Sequence, residues 1–73
     1  MTELAGFSGR EIVRRLQKLG YTVLRQRGSH VRLVHADRTK RKITVPMHKE
    51  IGVGLLSQIL NDAGVNAKIF LSL

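Results

Sequence analysis

The segment YTVLRQRGSHVRLVH, residues 21–35, decides the fold because it holds two strand-like runs on either side of a short turn. Residues 21–26 and 30–35 are rich in aromatic and β-branched side chains, which favour strands. Residues 27–29, Arg-Gly-Ser, form a short segment that contains glycine, as hairpin turns commonly do. We therefore predict two antiparallel strands joined directly, with His30 as the first residue of the second strand.

Strand and helix signals continue on both sides of this hairpin. Residues 36–39 are a polar connection, and residues 41–45 are a third strand that Pro46 ends, since proline cannot donate to a ladder. Before the hairpin, Ser8 and Glu11 fit a capping box, and apolar residues then repeat at helical spacing up to Gly20. The spacing predicts a first helix that leaves Arg14, Arg15 and Lys18 on its outer face and that Gly20 ends in a left-handed conformation.

The last third of the chain predicts a second helix. Its apolar stripe consists of Leu56, Ile59, Leu60 and Ala63. Asn66 can cap a further turn through residues 67–70. The order is α-β-β-β-α, an α+β fold in which both helices cover one face of a three-stranded antiparallel sheet and leave the other face open. At 73 residues, we expect a single domain over residues 1–73.

Charge is concentrated in one part of the chain. The formal net charge is +8, and twelve of the thirteen Lys and Arg residues lie between Arg10 and Lys49, where the acids are Glu11 and Asp37. This favours a nucleic acid or an acidic partner. The absence of cysteine excludes disulfides and thiolate chemistry and favours the cytoplasm. There is neither a membrane-length apolar run nor a signal-peptide pattern, so we expect no membrane partner.

His30 is the candidate catalytic residue. Alternation along the second strand turns Val31 and Leu33 to the core and His30 and Arg32 to the open face. Imidazole exchanges protons near neutral pH, and the amides of Gly28 and Ser29 can hold a phosphate oxygen. The candidate RNA-binding cations are Arg25, Arg27, Arg32, Lys40, Arg41 and Lys42. The plain alternative is a surface histidine among solvated charges.

The positions of the other two histidines, His35 and His48, indicate what each of them can do. His35 lies five residues from His30, so the two side chains point to opposite faces of the sheet. Because the acidic residues are also dispersed along the sequence, we expect neither a metal ion nor a cofactor. His48 is either a second acid or base that supports catalysis, or a residue that hydrogen-bonds the loop before the second helix. Spacing favours the second interpretation.

Several motifs resemble, in order, those of the HicA toxins of HicA–HicB toxin–antitoxin modules: Gly20-Tyr21, Arg25-Gln26-Arg27-Gly28-Ser29-His30, Val45-Pro46-Met47-His48, Gly54-Leu55-Leu56 and Ala63-Gly64-Val65. The resemblance covers about residues 8–70. It implies a fold like a double-stranded-RNA-binding domain and cleavage of mRNA that arrests growth. It also implies that His30 is the required residue and that a HicB-type antitoxin covers the site. His48 matches in position only.

The leading hypothesis is a metal-independent endoribonuclease that binds mRNA on the open basic face, with His30 as general base toward a ribose 2′-hydroxyl. The first alternative is a non-catalytic module that binds double-stranded RNA, in which His30→Ala leaves function intact. The second is a domain whose basic face binds an acidic protein. It predicts no affinity for RNA at low salt.

Overall fold

The structure is a computed structural model that describes residues 3–73. Its elements are α1 Gly9–Lys18, β1 Tyr21–Arg27, β2 His30–His35, β3 Ile43–Pro46, α2 Val53–Ala63 and α3 Ala67–Leu71. The predicted α-β-β-β-α order is confirmed. The short α3 follows at the position where Asn66 was expected to cap a last turn, and the Asn66 side chain accepts from the amide of Ile69 at 2.9 Å.

The three strands form one antiparallel sheet in the order β1-β2-β3. Gly28 and Ser29 make the two-residue turn between β1 and β2, with Gly28 at φ +54°. A glycine with positive φ at the first of two turn positions is what a type II′ hairpin requires. The Ser29 carbonyl accepts from the amide of Met47, so the turn is also tied to the segment after β3.

One extra residue in β1 changes which side chains share a face. Val23 lies opposite Leu33 and Arg25 lies opposite Arg32, so Leu24 has no counterpart on β2 and forms a β-bulge. Strict alternation from the buried Tyr21 would turn residues 25 and 27 to the helix side of the sheet. The bulge shifts the alternation by one residue, and both arginines lie on the face opposite the helices.

The core lies on one side of the sheet. Its strand residues are Tyr21, Val31, Leu33, Ile43 and Val45. Helix α1 adds Ile12, Val13 and Leu16, and α2 adds the predicted stripe Leu56, Ile59, Leu60 and Ala63. Both helices therefore pack on one face of the sheet, as predicted. Within residues 3–73, no element covers the other face.

The start of α1 lies directly against the end of β3. The predicted capping box is present, with the amide of Glu11 donating to the Ser8 hydroxyl at 3.1 Å. Gly9 donates its amide to the carbonyl of His48 at 3.0 Å. A Cβ on Gly9 would lie 2.0 Å from the carbonyl oxygen of Pro46, so this close approach requires glycine.

The side chain of Arg15 does not lie on the solvated outer face of α1, where the sequence predicts it. Its Nη1 donates to the carbonyls of Phe70 at 2.9 Å and Leu73 at 3.2 Å. The guanidinium also lies over the rings of Phe7 and Phe70, 4.9 and 5.2 Å from their centroids. The periodicity of α1 could not show this, because the contact depends on how α3 folds back. Across the described residues, no helix is both long and apolar enough to cross a membrane.

Candidate functional site

The open face of the sheet presents its side chains in rows across the strands. The register aligns Arg27 with His30, and His30 with Pro46. The next row aligns Arg25 with Arg32, and Arg32 with Thr44. Since side chains two residues apart on a strand share a face, the two rows are neighbours. His30 thus stands beside three guanidinium groups that come from two strands.

These two rows enclose a shallow open pocket of about 340 Å³, lined by Arg25, Arg27, His30, Arg32 and Thr44. His30 is the single histidine in the lining, and no carboxylate is found there among the described residues. The combination can attract a polyanion, neutralise charge that develops on a phosphate and exchange a proton with a bound group.

Thr44 was not among the residues predicted from the sequence. Its Oγ1 accepts a hydrogen bond from Nη1 of Arg32 at 2.8 Å, which orients that guanidinium toward the pocket. Alternation along β3 contained the signal, because Ile43 and Val45 are apolar and the residue between them must face the other way.

The turn residues Gly28 and Ser29 stand at the end of the row that holds His30. The Gly28 carbonyl accepts from the side chain of Gln26 at 3.0 Å, and a Cβ on Gly28 would meet nothing within 4 Å. The turn therefore leaves open space beside its backbone. That its amides hold a phosphate oxygen stays a prediction.

The structure does not bring Lys40, Arg41 or Lys42 to His30. The Nζ of Lys40 donates to the carbonyl of Ala63 at 3.1 Å, at the C-terminus of α2. A cation is favourable there because the helix dipole is negative at that end. Arg41 is exposed and does not line the pocket beside His30. Lys42 is also exposed and lines a separate hollow, which Arg41 does not line either. The path of the loop over residues 36–42 determines where these three side chains lie, and no local sequence pattern specifies that path.

His35 has both ring nitrogens engaged by the backbone. Its Nδ1 accepts from the amide of Asp37 at 2.9 Å, and Nε2 lies 3.0 Å from the carbonyl of Leu19. A carbonyl only accepts, so Nε2 carries the hydrogen. The ring also packs edge-on against Tyr21, with centroids 5.0 Å apart. His35 therefore fastens the end of β2 to the end of α1.

His48 lies in the loop between β3 and α2 and is not brought together with His30. Its side chain lines a different hollow, with Ser8, Arg10, Met47 and Lys49. Its carbonyl is the acceptor for the amide of Gly9. Any residue at position 48 would make this backbone contact, so the role of the His48 side chain stays a prediction.

Two groups have shifted pKa values, and both lie outside the pocket. The hydroxyl and amide of Thr39 donate to Asp37 at 2.6 and 3.0 Å and lower the pKa of that carboxyl. Burial raises the pKa of the Tyr21 phenol, and the charges of Asp62 and Asp37 raise it further. In the part of the chain that the structure describes, no three histidine or acidic side chains lie close enough to share a metal ion.

Comparison with known families matches residues 9–65 to the model of the HicA toxin of bacterial toxin–antitoxin systems. No curated protein is similar to the sequence. The matched range includes the hairpin, the third strand, α1 and α2, and thus every residue of the pocket. It covers well over half of the 73 residues, so the chain belongs to the HicA toxin family.

Proposed function

We propose that this protein is a single-domain endoribonuclease toxin that cleaves mRNA in the cytoplasm without a metal ion, with His30 as the general base. The observation that carries the proposal is the pocket itself. It combines one histidine with Arg25, Arg27 and Arg32 and holds no carboxylate among the described residues. Family membership supports the toxin role.

The reaction follows from what the pocket offers. A neutral His30 imidazole takes the proton of a ribose 2′-hydroxyl, and the 2′-oxygen forms a bond to the adjacent phosphorus. The bond from phosphorus to the 5′-oxygen breaks. The products are a 2′,3′-cyclic phosphate and a 5′-hydroxyl. DNA has no 2′-hydroxyl and is bound without being cut.

The arginines stabilise the transition state. Negative charge grows on the non-bridging oxygens as the phosphorus becomes five-coordinate, and fixed cations there lower the barrier. Arg32 is held for this role by Thr44, at 2.8 Å. Arginine stays protonated at all working pH values and is a poor proton donor. Since His48 lies in another hollow, water supplies the proton to the departing 5′-oxygen.

A single general base contributes about 10²–10⁴-fold to the rate, so turnover should be slow for a nuclease. The open basic face also suits inhibition by an antitoxin. A HicB-type antitoxin that covers the pocket would present acidic or apolar groups to the three arginines and exclude RNA from His30.

The test measures cleavage of a defined RNA by the wild type, His30→Ala and His48→Ala in the presence of EDTA. We expect cyclic-phosphate ends from the wild type and from His48→Ala, and a loss of about 10²–10⁴-fold for His30→Ala. Induced expression should arrest bacterial growth with the wild type and with His48→Ala, and not with His30→Ala. Metal-dependent cleavage that leaves 5′-phosphates would contradict the mechanism.

RNA binding must be measured with the same proteins. If none of them cleaves RNA, and if His30→Ala binds double-stranded RNA as tightly as the wild type does, the protein is instead a non-catalytic RNA-binding module. The exposed pocket and the net charge of +8 would serve either function, so the product ends decide between them.

A further inference from the structure

A second basic hollow lies at the other end of the open face. It has a volume of about 480 Å³ and is lined by Val34, His35, Arg38, Lys40 and Lys42. Val34 shares the open face with His30, from which it is four residues away on β2. At about 3.3 Å per residue, the hollow begins about 13 Å along the strand from His30.

Lys42 and Arg38 are the groups of this hollow that are available to a ligand. Strand β3 begins at Ile43, so Lys42 lies directly before it, and Lys42 lines the hollow together with Val34. Both Arg38 and Lys42 are exposed. By contrast, Lys40 donates to Ala63, and both ring nitrogens of His35 are engaged by the backbone.

Among the described residues, no carboxylate lines this hollow, although the charge of Asp37 acts on Lys40. Asp37 is the acidic residue of the loop, and its carboxylate accepts from the hydroxyl and amide of Thr39. It is not part of the lining. Arg32 lies between His30 and Val34 on the same face, so positive charge is continuous from the pocket to the hollow.

We propose that Arg38 and Lys42 form a second site for a backbone phosphate of the RNA substrate, about 13 Å from the phosphate cleaved beside His30. Neighbouring phosphates of one strand are about 6–7 Å apart, because each step winds around the duplex axis as well as rising along it by about 3.4 Å, so this distance corresponds to about two nucleotides. The proposal rests on the proposed function, because it takes His30 as the position of the cleaved bond.

The second site makes efficient cleavage depend on substrate length. A strand that ends before the hollow gains nothing from Arg38 and Lys42. A longer strand places one more phosphate against these two cations, and its binding becomes more sensitive to salt by about 0.7 in the logarithmic slope.

The test uses DNA strands that carry one ribonucleotide, so that the 2′-hydroxyl fixes the cleavage position. One neutral methylphosphonate replaces a phosphate at successive positions on either side. We expect the kcat/KM of the wild type to fall about ten-fold when the methylphosphonate lies about two to four nucleotides from the ribonucleotide, on one side only. The Arg38→Gln/Lys42→Gln variant should show no such position.

The matched control is Arg14→Gln/Lys68→Gln, which removes two exposed charges from α1 and α3. It should keep the wild-type dependence on the methylphosphonate position. The inference is overturned if the control and the Arg38/Lys42 variant behave alike, or if the wild type shows no sensitive position.

Binding of uncleavable all-deoxy strands of increasing length separates this inference from the proposed function. If the wild type cuts no RNA but binds long strands about ten-fold more tightly than the Arg38/Lys42 variant, the second site stands and the nuclease proposal fails. If cleavage occurs and length makes no difference between the two proteins, the second site fails alone.

Discussion

Tyr21 is the sole tyrosine of the chain, and its phenol is buried on the helix side of the sheet. Its hydroxyl has a long hydrogen bond, 3.4 Å, to the carbonyl of Arg41. Burial and the nearby charges of Asp62 and Asp37 disfavour the phenolate and raise the pKa of Tyr21. The folded protein therefore holds this proton more tightly than the unfolded chain does.

We expect the ultraviolet absorbance of the phenolate to appear at a pH above the ordinary tyrosine pKa of 10.0. A raised pKa contributes stability that is present below the unfolded pKa and is lost as pH rises through the folded one. The free energy of unfolding of the wild type should thus fall relative to Tyr21→Phe above about pH 10. A titration midpoint at or below the ordinary value would contradict this.

Single residues were predictable from the sequence where the signal is local. Ser8 with Glu11, and Asn66 with Ile69, form caps within three residues, and all of these contacts are present. Arg15 was not predictable, because its partners Phe70 and Leu73 lie 55 and 58 residues further along the chain.

At the scale of elements, the three strands and two main helices were predictable because apolar spacing and turn residues mark them. The β-bulge in β1 was not. Nothing in residues 21–27 distinguishes an extra residue from an ordinary strand position, yet the bulge is what lets Tyr21 lie in the core while Arg25 and Arg27 lie beside His30.

Deletion of Leu24 is expected to leave the fold and the pocket intact. The register already aligns Val23 with Leu33 and Arg25 with Arg32, so removing the residue between them makes the ladder regular. Leu24 is 50% exposed, and its loss leaves the buried core complete. Circular dichroism and RNA cleavage of the deletion variant should match those of the wild type.

Deletion of Gln26 is the matched control. It keeps the turn but brings Arg25 opposite Val31, on the helix side, and removes one arginine from the pocket. RNA cleavage should fall sharply. If the two deletions lower cleavage equally, the register between Arg25 and the turn does not set the direction of the Arg25 side chain.

At the scale of the whole molecule, one contact joins segments that lie far apart in the chain and adds to the stability that the buried core provides. Arg15 on α1 lies over the rings of Phe7 and Phe70, which contact each other edge-on, and donates to the carbonyls of Phe70 and Leu73. The residue thus connects the segment before α1 with the end of α3, on the opposite side of the molecule from the open face. A planar guanidinium can stack and donate at the same time, whereas an ammonium cannot.

Arg15→Lys should therefore lower the free energy of unfolding by about 1–2 kcal/mol. Arg14→Lys changes an exposed neighbour on the same helix and should be close to neutral. Urea denaturation measures both, and the kcat/KM of the folded proteins toward RNA should be unchanged. An equal effect of the two substitutions would assign Arg15 to the solvated outer face after all.

The candidate site as a whole was only partly predictable. His30 and Arg32 follow from alternation along β2, and the predicted Arg25 and Arg27 line the pocket beside them, whereas Thr44 was not predicted. The cations of residues 40–42 were grouped with them because they are near in sequence, but the loop before β3 carries them elsewhere. Sequence proximity indicates a shared surface only where a strand fixes the direction of each side chain.

Strand β1 lies at the edge of the sheet, so one side of its backbone has no partner strand within residues 3–73. A free edge with exposed apolar residues, here Val23 and Leu24, is a template for pairing between copies. The bulge twists this edge, and the charges of Arg25 and Arg27 repel a second copy. Variants that neutralise these arginines should therefore be checked for self-association before a loss of cleavage is ascribed to the pocket.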